Sequence, residues 1–315
     1  MRLVRTFLVF ALTNAAVYVL HPRLVRKFRK KTGCFPDVAF PRTIQEKFLW
    51  RKVFDHNPLF VRLSDKLAAK GYIAAVCPEL HIPEVLWRGA SPADIPEVML
   101  GCRGVLKSSH GSGQLVFLPV APQDRSRAIA DAAIWLGAAY GQRKGEWAYR
   151  DLERQIFIEE LIRTPDDGYP TEYMVHVCDG KAVWVLCMRG RFGPAPVATY
   201  FNRDGAIIEE PDRSHFRVED IAPGPLFSEA IRLAERLAAR IDYARCDFYE
   251  LAGMLHAGEI TVYTASGFPG VKNSAILEPW AAYWNLQRSW FLSARQTGWW
   301  RIYAHCLANA LKEMK

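Results

Sequence analysis

At 315 residues, half of them hydrophobic and 23% charged, the chain has core enough for two or three domains and lacks the bias of collagen, coiled coil or bulk disorder. The formal charge of +8 is concentrated: no acidic residue precedes Asp37, while Arg2, Arg5, Arg23, Arg26, Lys27, Arg29, Lys30 and Lys31 do, so the remainder is close to neutral and no nucleic-acid partner is expected. Seven scattered cysteines without a C-x-x-C argue against a disulfide framework or a zinc site and fit reduced thiols in a cytosolic compartment.

Phe7 to Leu20 is an apolar run. As a helix it spans about 21 Å, short of the roughly 30 Å hydrocarbon core of a bilayer. Val-Tyr-Val-Leu-His-Pro, which closes it, is not a small-residue cleavage site, and the basic cluster follows at once. Three readings remain, a helix packed on the body, an interfacial anchor or an uncleaved signal; a packed or interfacial helix is expected, the cluster favouring an anionic leaflet. Thr43 and Glu46 have capping-box spacing at the head of a helix with Ile44, Phe48 and Val53 as its stripe. Asn57-Pro58 breaks it. Ser64 reads as the cap of the next helix, and Lys66 alone reads as a surface lysine.

Pro78 to Trp87 is extended, and residues 89–99 form a loop or short helix. From Gly104 to Pro119 an apolar strand carries Lys107, then His110, Gly111, Ser112 and Gly113, then a second apolar strand. That is a hairpin whose glycines let backbone N–H groups approach an anion, with Lys107 in reach of it. It is neither a Walker loop nor G-x-G-x-x-G. Ser126 to Gln142 has helical spacing. Gln155 to Ile162 is a buried strand that carries Glu159 and Glu160. Glu172 to Met188 is a hairpin on Asp179-Gly180, a strong turn signal. A strand pair is expected from Ala195 to Glu209, then an amphipathic helix from Leu226 to Ile241.

Arg245 to Gly267 reads as a hairpin turning at Ala252-Gly253. Centred on Gly253, it sets Asp247 opposite Glu259, Cβ atoms roughly 5 Å apart, and Arg245 opposite Thr261 on the same face. Cys246, Phe248, Ile260 and Val262 make the core face. Two facing carboxylates repel unless a cation lies between them. Mg²⁺ held by one or two carboxylates with phosphate completing its shell meets that need, and so does pairing to Arg245. The tail holds Trp280, Trp284, Trp290, Trp299 and Trp300 among arginines, and is expected to pack over the body.

The order of these pieces resembles the ATP-grasp superfamily, and more closely its TupA-like branch, named for teichuronopeptide synthesis. The matching stretches are Pro41 to Trp50, Asn57-Pro58, Ser64 to Leu67, Val105 to Gly113, Phe157 to Glu160, Glu172-Tyr173, Asp179 to Lys181, Arg245 to Tyr249, and Gly258 to Thr261 with Ser266-Gly267. Each is weak alone; nine in order are specific. The resemblance implies an α+β ATP-grasp fold, with a nucleotide held between two α+β subdomains and helical extensions at both ends. The segments would be 1–40 (apolar and basic helix), 41–103 (N-terminal subdomain), 104–170 (small subdomain with the glycine loop), 171–275 (large subdomain with the metal hairpin) and 276–315 (Trp-rich tail).

It also implies roles. Lys107 would contact the phosphates of ATP, and His110, Gly111, Ser112 and Gly113 would form a flap over them. Lys66 would support the phosphate side. Glu159 and Glu160, with the backbone after them, would meet the adenine, and Glu172 would lie near the ribose. Asp247 and Glu259 would hold Mg²⁺, and Arg245 would stabilise the transferred phosphoryl group. Superfamily metal sites usually end Glu-x-Asn; Thr261 stands there in this chain, as in the branch. Met174 stands where branch members commonly carry lysine.

By resemblance the activity is an ATP-dependent carboxylate–amine ligase working through an acyl-phosphate. The acceptor would be a uronic acid or similar carboxylate of a cell-surface glycan or its lipid-linked precursor, and the donor an amino acid. The protein would be cytoplasmic, at the inner face of the membrane through its N-terminus. The alternatives are a kinase acting on a sugar hydroxyl and a membrane-associated scaffold with a degenerate nucleotide site.

Overall fold

A computed structural model describes residues 2–163, 168–209, 217–219 and 221–313. The chain opens with α1 (Arg2–Leu20) and α2 (Pro22–Thr32), bent 101° from each other. Val9, Thr13 and Val17, spaced by four, bury one side of α1. No single described helix is long and apolar enough to cross a membrane. α3 (Ile44–Val53) starts at the expected capping box: Glu46 N–H donates to Thr43 Oγ1 and Thr43 N–H to Glu46 Oε2. α4 (Pro58–Ser64) and α5 (Lys66–Val76) follow. The cap of α5 is Asp65, whose carboxylate accepts from Leu67 and Ala68 N–H; Ser64 instead closes α4.

Next come β1 (Val85–Gly89), α6 (Glu97–Leu100), β2 (Gly104–Ser108), β3 (Leu115–Phe117), α7 (Arg125–Gly137) and β4 (Ile156–Glu160). The strands make an antiparallel sheet in the order β1-β4-β2-β3, with Leu106, Ile156 and Ile158 packed on Ala132 of α7. α7 ends five residues before the expected Gln142, and Gly141 beyond it has φ 77°, closed to a continuing helix.

The larger sheet is built from β5 (Thr171–Cys178), β6 (Lys181–Arg189), β7 (Val197–Asn202), β8 (Arg217–Val218), then, after α8 (Phe227–Leu237), β9 (Tyr243–Leu251) and β10 (Met254–Thr261). Its order is β10-β9-β5-β6-β7-β8. The turns Asp179-Gly180 and Ala252-Gly253 both have two positive-φ residues, the geometry of a two-residue hairpin loop. The strand pair expected over Ala195 to Glu209 is one strand: Ile207 makes a lone bridge to Phe201, and β7 takes its next partner, β8, in parallel.

The sheet is covered on both sides. Tyr173, Val175, Val177 and Cys246 meet α4, α5 and α8. Met174, Cys178, Trp184 and Tyr243 meet α3, α9 (Ser274–Tyr283), α10 (Trp290–Ser293) and α11 (Gly298–Glu313). Trp280 and Trp284 are fully buried there, while Trp290, Trp299 and Trp300 stay 36–37% exposed, so the tail packs through part of its tryptophan set. Arg51 of α3, fully buried, pairs with Asp242 at 2.5 Å and donates to the carbonyls of Tyr243 (3.0 Å) and Val262 (2.7 Å). It thereby pins the root of the β9–β10 hairpin.

Candidate active site

The β9–β10 hairpin has the two faces that alternation dictates. Cys246, Phe248, Ile260 and Val262 are buried in the core, and Arg245 pairs with Thr261. Asp247 does not face Glu259 squarely. The register slips between Ala257 and Ile260, so Gly258 and Glu259 together oppose Asp247. A Cβ on Gly258 would lie 2.7 Å from the Asp247 carbonyl oxygen, so the bulge needs glycine. Arg245 gathers both acids. Its Nε and Nη2 meet the Asp247 carboxylate at 2.7 and 2.5 Å, and Nη2 reaches Glu259 Oε1 at 2.9 Å. Burial and the Glu259 charge outweigh Arg245 and push Asp247 up to about 7. For Glu259, burial acts upward, but Arg245 and Lys66 hold the carboxyl below its ordinary range.

Arg245 and Glu259 edge a cavity of about 440 Å³, with Asp247 buried behind them. Lys66, Lys70, Lys107, Gly111, Ser112, Glu159, Arg245 and Glu259 all line it, brought together from α5, the β2–β3 hairpin, β4, β9 and β10. Lys107 Nζ donates to Glu159 Oε1, and Lys70 Nζ pairs with Glu159 Oε2 at 2.8 Å. Burial acts to raise Glu159, but the two ammonium groups hold it below the usual carboxylate range. Lys66 Nζ donates to the Gly111 carbonyl, tying α5 to the glycine loop, and burial pushes that ammonium down. The sequence reading missed Lys70. Its position four residues after Lys66, on the same helix face, was the available signal.

A second, apolar cavity of about 70 Å³ lies against the first. Val105, Phe117, Leu161, Ile162 and Phe192 line it, and Lys107, Glu159 and Tyr249 border both cavities. Glu160 sits at its rim, 3.4 Å from His81, where the chain leaves β4.

Other expected residues stand apart. His110 is buried, its Nε2 3.0 Å from the Trp135 carbonyl, so its ring packs under α7 rather than over the cavity. Gly113, with φ 72°, shapes the loop without lining either cavity. Glu172 is buried in a two-oxygen contact with Arg191 Nη1 at 2.6 and 2.7 Å, a partner the sequence reading did not name.

Asp247, Glu259 and Thr261 offer hard oxygen donors of the kind Mg²⁺ takes; Glu259 and Thr261 line the cavity, whereas Asp247 is buried. Among the described residues no group of three or more His, Cys, Asp or Glu side chains is placed to hold a metal ion. Two carboxylates suit a hydrated Mg²⁺ whose remaining ligands come from phosphate.

The family model described as TupA-like ATPgrasp matches residues 46–276. No curated protein matches. Among solved structures, the chain resembles a D-alanine–D-alanine ligase from Bacillus anthracis complexed with ATP (15% identity, TM-score 0.39, 80% of this chain and 66% of that one). It resembles the ATP-grasp ligase PsnB complexed with a precursor variant, Mg and ADP (15%, 0.41, 78% and 66%) and a D-alanine–D-alanine ligase from Helicobacter pylori (13%, 0.41, 70% and 61%). The chain thus spans 61–66% of the length of these three.

Proposed function

Because the chain belongs to the TupA-like ATP-grasp family, we propose that it is an ATP-dependent carboxylate–amine ligase. The observation that carries this reading is the joining of an apolar slot to a lysine-rich cavity across Lys107, Glu159 and Tyr249. A purine base suits the slot, and the backbone after Glu160 offers hydrogen bonds to its edge. The triphosphate then falls among Lys66, Lys70, Lys107 and the Gly111-Ser112 loop. Asp247 and Glu259 would hold Mg²⁺, which would supply charge neutralisation at the phosphates.

The chain's own residues do the rest by positioning and charge. A substrate carboxylate oxygen attacks the γ-phosphorus and ADP leaves. Arg245, fixed by Asp247, faces the charge that develops on the moving phosphoryl group. The loop tied down by Lys66 keeps water from the acyl-phosphate. An amine then attacks the carbonyl carbon, phosphate leaves and the amine loses a proton. The acceptor we assign is a carboxylate of a cell-surface glycan or its lipid-linked precursor, and the donor an amino acid.

An anionic membrane surface is the partner we assign to α1. Val4, Phe7 (76% exposed), Leu8, Leu12, Val19 and Leu20 leave one side of that helix apolar and bare. Arg23, Arg26, Arg29 and Lys30 stand exposed on α2 beside it.

Hydroxylamine with Mg·ATP and a uronic-acid acceptor tests the chemistry. A hydroxamate is the expected product. ADP release with a phosphorylated hydroxyl and no hydroxamate would replace the ligase with a kinase.

A further inference from the structure

The cationic side chains that line the cavity fall into two groups, one at each end. Lys66, Lys70, Lys107 and Arg245 are gathered around Glu159 and Glu259. The other end is lined by Lys27 and Lys31 from α2, by Lys144, and by Tyr140, Glu146, Ser266 and Phe268. α2 precedes the residues that the family model matches, so Lys27 and Lys31 are added to this wall by the chain's own N-terminal helix.

The wall is built. Leu24 of α2 closes on Gly145, where a Cβ would lie 2.8 Å from its methyl groups. Lys27 Nζ stands 5.5 Å over the Phe268 ring, and Lys144 Nζ lies 3.3 Å from the Tyr140 hydroxyl. Beneath them Lys52, buried, donates to Ser266 O and Oγ at 2.8 and 3.1 Å, holding a turn in which Ala265, Ser266 and Gly267 all have positive φ. Glu146, the carboxylate lining this end, lies 4.0 Å from Lys52. Among the described residues, Lys27, Lys31 and Lys144 form no ion pair. The charges that bear on Lys27 are Glu146, Lys144 and Lys31, whereas Glu259, Lys107, Glu159 and Asp65 bear on Lys66. The cavity thus has two electropositive centres.

We propose that the Lys27–Lys31–Lys144 end is a second anion subsite, and that the acceptor carries a phosphate or diphosphate besides the carboxylate that is activated. This rests on the ligase reading and names its substrate class. Three lysines against one glutamate leave about two positive charges at this end, more than a single carboxylate offsets. A phosphate or diphosphate comes closer to balance and suits ammonium groups, which act as point charges toward phosphate.

The test loads the full-length protein with Mg²⁺ and a non-hydrolysable ATP analogue and titrates inorganic pyrophosphate with Mg²⁺ in excess. One further site is expected. Lys27→Ala/Lys31→Ala and, separately, Lys144→Ala should weaken it at least tenfold and leave the analogue's Kd within twofold; Lys27→Arg should retain it. A nucleoside diphosphate sugar and a short polyprenyl diphosphate are then tried as displacers. Displacement by one identifies the source of the phosphate. Displacement by neither, equal binding by the variants, or pyrophosphate that only competes with the analogue would overturn the subsite. Loss of analogue binding by the unmodified protein would instead remove the ligase reading.

Discussion

Lys107 and Glu159 form the contact on which the nucleotide reading turns. Lys70 also holds Glu159, so Lys107→Met leaves that carboxylate paired and the fold in place. We expect Mg·ATP turnover to fall by about 100-fold or more, the scale of losing one charged group at a developing charge, with thermal unfolding unchanged. Normal turnover in a steady-state ADP assay would remove Lys107 from the site. Lys47 carries a different prediction. Its Nζ donates to the Ala281 and Trp284 carbonyls at the end of α9, and burial pushes it down to about 8. The folded pKa lies below the unfolded one, so the unfolded chain binds more protons between the two values and stability rises with pH through that window. From pH 7 to 9.5 the unmodified protein should gain about 2 kcal/mol relative to Lys47→Met. Denaturant unfolding at the two pH values measures this, and parallel changes in both proteins would contradict it.

The β9–β10 hairpin is the element that turns sequence into a site. Its turn, its core face and the Arg245–Thr261 pair were legible from alternation and from Ala252-Gly253. The bulge was not, because nothing in Ala257-Gly258-Glu259 distinguishes a slip from regular pairing until Asp247 is seen against Gly258. Gly258→Ala should cost about 1–3 kcal/mol, as added bulk against backbone does. It should also lower turnover more than stability alone accounts for, by moving Asp247 and Glu259 apart; calorimetric unfolding beside a turnover assay separates the two. The Thr43–Glu46 box was equally legible as a local signal. The cap of α5 was misplaced by one residue, since Ser64 and Asp65 are both good caps and only the end of α4 decides between them. His110 was assigned by its neighbours in sequence, but the turn after β2 sends its ring under α7.

In the whole molecule, two sheets and the N-terminal helix α2 converge on one cavity. The order of motifs carried the fold class, because each motif is local. The convergence of Lys27, Lys31 and Lys144 was hidden, because it depends on α2 folding back across more than a hundred residues of chain. The N-terminal basic cluster is thereby divided, part lining the cavity and part exposed beside the apolar side of α1. Phe7→Asp/Leu8→Asp should abolish co-sedimentation with phosphatidylglycerol vesicles while Mg·ATP binding persists. Retained sedimentation would place the membrane contact elsewhere. The most direct measurement is calorimetric titration of Mg·ATP into the unmodified protein and into Asp247→Ala/Glu259→Ala. The account predicts Mg²⁺-dependent binding at one site, weakened at least tenfold in the double variant. Absence of binding by the unmodified protein, or equal binding by both, would contradict it.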